Sequence, residues 1–160
     1  MSYIEFKNIS KVFGEFLACN DISLSIQKAS IHSIIGENGA GKSTLVKLLG
    51  GIESITSGQI LLNDQLYAPH SARDAFKQKI AFIHQHFVLA EQLSALDNLT
   101  LSASSSQFSL TLKNSTQVLQ HAELLLKRFG WSIALDKPVS QLSVGEQQRL
   151  EILKALMQEP

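Results

Sequence analysis

Gly36, Gly41, Lys42 and Ser43 stand at the spacing of a phosphate-binding loop: one glycine, four residues, then Gly-Lys-Ser. The full stretch is Ser33-Ile34-Ile35-Gly36-Glu37-Asn38-Gly39-Ala40-Gly41-Lys42-Ser43-Thr44-Leu45. Glycines at 36, 39 and 41 let the backbone turn sharply and approach phosphate oxygens without Cβ interference. The N–H groups of the loop and of a helix starting near Lys42 then point at an anion, with the helix dipole behind them. In such a loop Lys42 holds the β- and γ-phosphates, Ser43 ligates Mg²⁺, and Thr44 contacts the α- or β-phosphate. Glu37, Asn38 and Ala40 complete the cradle. A glycine-rich turn that binds nothing would have to place three glycines, a lysine and two hydroxyls in register by accident. The residues predict a nucleoside triphosphate site.

A second stretch with the same physical tendency is Leu142-Ser143-Val144-Gly145-Glu146-Gln147-Gln148-Arg149. Ser143 with Glu146 three residues on is a capping-box pattern, so Ser143 should cap a helix and leave N–H groups at Val144, Gly145 and Glu146. Taken alone, it reads as an ordinary capped surface helix, because such boxes are common.

These sites need elements to hold them. Apolar residues at 31–35 predict a buried strand entering the first loop, and Leu45-Val46-Lys47-Leu48-Leu49 a helix leaving it, closed by Gly50-Gly51. Upstream, Ile4, Phe6 and Ile9 predict one strand, broken at Lys11-Val12-Phe13-Gly14; Ile22, Leu24 and Ile26 predict a second. Two strands before the loop strand suggest an antiparallel layer beside a parallel core. Downstream, Thr56-Ser57-Gly58 reads as a turn, 59–62 as a strand, Asn63-Asp64 as a turn, 71–79 as a short helix and 80–83 as a buried strand. From Ala90 the chain reads as helical, then as a loose polar loop over 102–107. Residues 116–129 form a helix stopped by Gly130, and Asp136-Lys137-Pro138 a loop.

With 160 residues, 44% of them hydrophobic and 18% charged, the chain can bury a core and is not disordered. Lysine plus arginine and aspartate plus glutamate balance at 14 each, so no basic field draws it to nucleic acid. The one cysteine, Cys19, excludes an internal disulfide, fits a reducing compartment and reads as a small apolar filler. The first residues are charged where a signal peptide needs an apolar core, and nothing approaches a membrane span of about 18 apolar residues. The expectation is a cytoplasmic protein whose membrane role, if any, comes through a partner.

Other candidates carry less. His84 and His86 flank Gln85 and could share a strand face, but a catalytic zinc needs three protein ligands and no third is near. Arg73, Lys77 and Lys79 read as a solvated helix face, and Phe129 and Trp131 as packing.

The segment Ser143 to Gln147, followed by Gln148-Arg149, resembles the signature sequence of ABC transporter ATPases, usually written LSGGQ, and lies 101 residues after Lys42 as in that family. The resemblance covers essentially the whole chain. It implies that Phe13 is the aromatic that stacks on adenine, and that Gln85 touches Mg²⁺ and the attacking water and faces the membrane subunit. Asp97-Asn98-Leu99 is similar to the segment opening the family's helical subdomain. It further implies an α/β P-loop NTPase fold: a RecA-like core with an antiparallel β-layer, plus an α-helical subdomain. The implied division is residues 1–84 for the β-layer and loop core, 85–145 for the Gln85 loop and helical subdomain, and 143–160 for the signature helix. Two such domains meet head to tail in that family, each ATP lying between residues 36–44 of one and Ser143, Val144, Gly145, Glu146 and Gln147 of the other. Lys42 and Gln85 are then the catalytic residues, Ser43 and Gln85 the Mg²⁺ contacts. Permease subunits are the implied partners, with a solute-binding protein acting indirectly.

Within the family, His-Gln-His-Phe and the run from Leu142 to Leu156 look like ATPases of simple-sugar and nucleoside importers. Val144 replaces the commoner glycine, Phe13 the commoner tyrosine, and Ser30 a frequent glycine. The Walker B strand, with its Mg²⁺-linked Asp and water-polarising Glu, is not found before Pro160, nor is the switch histidine. The runs ending at Asp64 and Asp136 both precede the signature, and neither is followed by Glu. The 160 residues alone are therefore expected to be truncated as an ATPase, poorly stable, and negligible in hydrolysis. The alternatives are a nucleotide-binding or dimerising module without turnover, a non-transport ABC ATPase, and another P-loop enzyme. A guanine reader would need Asn-Lys-x-Asp, which is absent.

Overall fold

The computed structural model describes residues 2–105 and 115–158. The chain forms two compact units, Met1–Ala81 and Phe82–Pro160.

The first unit is an antiparallel sheet with helices. Strands β1 (Ser2–Phe13), β2 (Phe16–Gln27), β3 (Ser57–Leu62) and β4 (Gln65–Tyr67) lie in the order β2-β1-β3-β4, every ladder antiparallel. This is the antiparallel layer expected. Strand β1 does not break at Lys11 but continues to Phe13, turning at Gly14. Its register shifts between Phe6 and Ile9, where Asn8 takes a positive φ of 51°. Asn8 Nδ2 donates to Asp21 Oδ1 at 2.7 Å, anchoring the irregularity. The extra residue lets Ile9 face inward after Ile4 and Phe6 despite its odd spacing, and all three are buried. Ser57 and Gly58 belong to β3 rather than to a turn. The hairpin to β4 turns at Asn63 and Asp64, both with positive φ, as a tight two-residue turn requires.

Helix α1 (Lys42–Leu49) buries Leu45 and Leu48 against this layer's core of Ile9, Cys19, Ile60 and Tyr67. Its end reverses through Gly51 N–H donating to Leu48 O at 3.3 Å and Ile52 N–H to Lys47 O at 3.0 Å, the pairing of a Schellman cap. Helix α2 (Ala72–Lys77) starts at Ser71, whose Oγ accepts from Asp74 N at 3.2 Å.

Two expected strands are not formed. Residues 31–35 and 80–83 are assigned to no helix or strand and pair with no described residue in a ladder. Ile31 and Ile35 are 97% and 92% exposed. Apolar composition fits a segment for burial, but a strand exists only where a neighbour supplies its hydrogen bonds.

The second unit is helical: α3 (Ala95–Ser105), α4 (Ser115–Phe129), a 3₁₀ turn at Val139–Gln141 and α5 (Val144–Leu156). Helix α3 begins five residues after Ala90, because Ala90 and Ser94 are engaged by the Asn98 side chain. It also takes in Ser102 to Ser105, expected to be loop; residues 106 and 107 lie outside the described ones. Ala95, Leu99, Val118, Ala122, Leu150 and Leu153 form the core of this unit. Phe129 and Trp131 stack at 5.1 Å, and Gly130 ends α4 with φ 64°.

Candidate functional site

The loop before α1 is built on β2. Gly41 caps the helix with φ 80°, and a Cβ there would lie 2.2 Å from Ala18 O, so the backbone rests directly on the strand. Cys19 Sγ lies beneath, 3.8 Å from Gly41 O, and burial pushes its thiol above the usual range. Gly39 needs its glycine for conformation, having φ 85° with open space around it. No side chain caps α1 and no acidic residue lies in its first turn, which leaves its amino end free for an anion. Lys42 Nζ folds back to donate to Gly36 O at 2.8 Å and Glu37 O at 2.7 Å. An ionised phosphate oxygen is a stronger acceptor than these carbonyls. Glu37, Asn38, Gly39, Ala40 and Ser43 are exposed, and Thr44 is half-buried.

Phe13 closes β1 in the same unit, 41% exposed. Lys11, buried two residues earlier, places Nζ 4.6 Å from the Phe13 ring centroid. The same Nζ donates to Ser54 O at 2.8 Å and pairs with Glu53 at 3.5 Å. One face of the ring is thus backed by a cation. Lys11 was not legible as a neighbour of Phe13, since its partner Ser54 lies 43 residues on in the chain.

In the second unit, the capping box at α5 forms as predicted. Glu146 N donates to Ser143 Oγ at 3.3 Å, and Ser143 N donates to Glu146 Oε2 at 2.8 Å. The Ser143 hydroxyl and backbone hold the Glu146 carboxyl below the usual glutamate range. Val144 and Gly145 are exposed, and Arg149 Nε donates back to Gly145 O at 3.2 Å. Gln147 turns inward, its Nε2 donating to Leu142 O at 3.1 Å and Val139 O at 3.2 Å to brace the 3₁₀ turn. Gln85 and Gln147 line one open cleft of about 260 Å³ with Phe87 and Val139. The structure therefore groups the candidates in two sets: Phe13 and residues 36–44 in the first unit, Gln85 and residues 143–147 in the second.

His84 packs its ring edge-on against Phe82 at 4.8 Å. Among the described residues no group of three potential metal ligands gathers. Lys77 pairs with Asp74 at 3.2 Å, as a solvated helix face would. No helix among the described residues is long and apolar enough to cross a membrane.

A glycine-rich loop resting on β2, and a capped helix start carrying Ser-Val-Gly-Glu-Gln, are features the family comparison accounts for together. Residues 19–160 match the ABC transporter family, and the chain belongs to that family. It is 36% identical to a ribose import ATP-binding protein of Escherichia coli O157:H7, over 96% of this chain and 30% of that one. An arabinose import ATP-binding protein of Vibrio parahaemolyticus is 38% identical, over 97% of this chain and 30% of its own length. A nucleoside import ATP-binding protein of Lactococcus lactis is 34% identical, with 96% and 30% covered. The chain spans about 30% of the length of these relatives. Among solved structures, a nucleotide-free ATP-binding cassette from an ABC transporter superposes with a TM-score of 0.86 at 27% identity, covering all of this chain and 66% of that one. The α/β P-loop fold class that the resemblance implied stands.

Proposed function

We propose that this chain is the nucleotide-binding part of an ABC import ATPase, and that its nucleotide is ATP with Mg²⁺. The observation that carries this is the uncapped amino end of α1, with no acidic side chain in its first turn and Lys42 donating to the loop's own carbonyls. That arrangement suits a polyanion and little else. The exposed Ser43 hydroxyl is a neutral oxygen donor suited to Mg²⁺, which prefers oxygen ligands and keeps phosphate and water as its others. The Gln85 amide, in the second unit, is given a Mg²⁺ contact by the family resemblance alone. When bound, the metal neutralises charge developing on the phosphates. Lys42 orients the β- and γ-phosphates, Phe13 stacks on the base, and Gln85 orients the attacking water.

The remainder follows from kinship and is part of the same proposal. Residues 143–147 act on the nucleotide of a second cassette in a head-to-tail pair; a dimeric bacterial cassette superposes with a TM-score of 0.79 at 27% identity. Permease subunits hold the protein at the inner face of the membrane and a solute-binding protein delivers the cargo. The cargo class is a simple sugar or a nucleoside, the solutes named for the relatives above. Residues 1–84, 85–145 and 143–160 are the loop core, the helical subdomain and the signature helix.

Equilibrium binding of ATP to the full-length protein tests the reading. Wild type should bind, and Lys42→Ala should weaken binding and lower turnover by about a hundredfold or more. Binding without turnover in the full-length protein would instead support a nucleotide-binding module, and no binding at all refutes the proposal.

A further inference from the structure

Glu151 lies in the middle of α5 and is 4% exposed, the only acidic residue buried among those described. A carboxylate is costly to bury unless its oxygens are hydrogen-bonded and its charge paired. Both conditions are met by a single peptide unit and one lysine. Glu151 Oε1 accepts from Val88 N–H, while Oε2 pairs with Lys154 Nζ at 2.7 Å. Lys154 Nζ in turn donates to Val88 O at 2.8 Å. The N–H and C=O of Val88 are thus both held by α5, and the circuit closes on itself. Two residues on, Ala90 is held the same way from α3. Asn98, 6% exposed, accepts from Ala90 N–H through Oδ1 at 2.7 Å and donates through Nδ2 to Ala90 O at 3.1 Å.

Alternate residues of this segment have their backbone groups satisfied as in a sheet, but by side chains of two helices. The Val88 side chain itself is 62% exposed, so apolar packing does not fix it; the polar circuit does. Gln85 precedes Val88 by three residues, and Ser143 caps the helix that carries Glu151.

We propose that Glu151 and Lys154, seconded by Asn98, are positioning residues that tie the Gln85 loop to the helix beginning at Ser143. This rests on the proposed ATPase reading for its catalytic consequence, though not for the clamp itself. Gln85 then keeps a fixed place relative to the start of α5, so a shift at that helix start moves the glutamine with it. A displacement of about 1 Å at a positioned group costs up to about a hundredfold in rate.

The test is made in the full-length protein with two readouts. The first is amide hydrogen exchange. Glu151→Ala should speed exchange at Val88 while the α5 amides stay protected. The second is the split between nucleotide affinity and turnover. Glu151→Ala should lower kcat by about tenfold or more with ATP affinity changed less than about twofold. Glu151→Gln keeps an acceptor for Val88 N–H and should restore much of the protection and the rate. Lys154→Met, which leaves Glu151 in place, should give a smaller loss of the same kind. If Glu151→Ala does not fold, the Gln and Met variants carry the test. Unchanged exchange at Val88 overturns the clamp. A loss of kcat matched by equal loss of ATP affinity and of α5 protection overturns the positioning role, because a merely structural residue would behave so. Wild-type protein that neither binds nor hydrolyses ATP refutes the functional reading before any substitution is compared.

Discussion

Lys11 shows what one residue's surroundings demand. Its ammonium is buried yet has a carbonyl, a carboxylate and a ring face around it, so the charge is tolerated. Lys11→Met fills a similar volume but leaves Ser54 O and Glu53 without their partner. Because Glu53 is about one-third exposed, the expected cost is only about 1–2 kcal/mol, read as a lower urea midpoint. Phe13 itself makes a sharper prediction. Stacking on a base is worth about 1–3 kcal/mol, so Phe13→Ala should weaken ATP binding by about 5- to 150-fold. Inorganic triphosphate, which has no base, should bind wild type and variant equally well; equal loss for both ligands would place Phe13 outside the base site. At this scale Lys42 and Ser143 were visible in the sequence because each sits in a motif with local spacing, and Phe13 only through the resemblance to the ABC ATPases. Lys11 and Glu151 were not visible, because burial arises from contacts 43 and 63 residues away in the chain.

An element is legible when its signals are local. The box of Ser143 with Glu146, the Asn63-Asp64 turn and the Gly130 stop each depend on a few neighbouring residues, and each formed. Strand β4 is three residues long, too short for periodicity to mark. The irregularity at Asn8 hid how far β1 runs, and 31–35 reads as a strand whose partner no local signal supplies. The cap at α5 gives the prediction that belongs here. Ser143→Ala removes the acceptor for Glu146 N–H and should cost about 1 kcal/mol, with faster exchange in the first turn. Glu146 adds a pH dependence of known sign. Its folded carboxyl lies below the ordinary 4.5, so its contribution is full above that value and declines as pH falls through the lowered one. In Ser143→Ala this acid-side decline in first-turn protection should shrink. If it persists undiminished, some other carboxylate governs it.

Across the whole molecule the sheet and the helical unit each have a core, while the segment linking β2 to the glycine-rich loop has none. Ser30-Ile31-His32-Ser33-Ile34-Ile35 is β-prone and free of Asp, Glu, Lys, Arg and Pro, the composition of a self-pairing segment. Its Ile31 and Ile35 side chains stand almost wholly in water. The 160-residue polypeptide, expressed by itself, should therefore associate as its concentration rises, and light scattering would follow it. Strand β4 is the rival cause, since it forms one edge of the sheet and Leu66 is 68% exposed there. The two are separable by single charges. Ile35→Lys should keep the polypeptide monomeric if the linking segment drives association, and Leu66→Lys should leave association unchanged. The reverse pattern would assign it to the β4 edge. Relief by neither would mean that the exposed isoleucines are not what the polypeptide uses to associate.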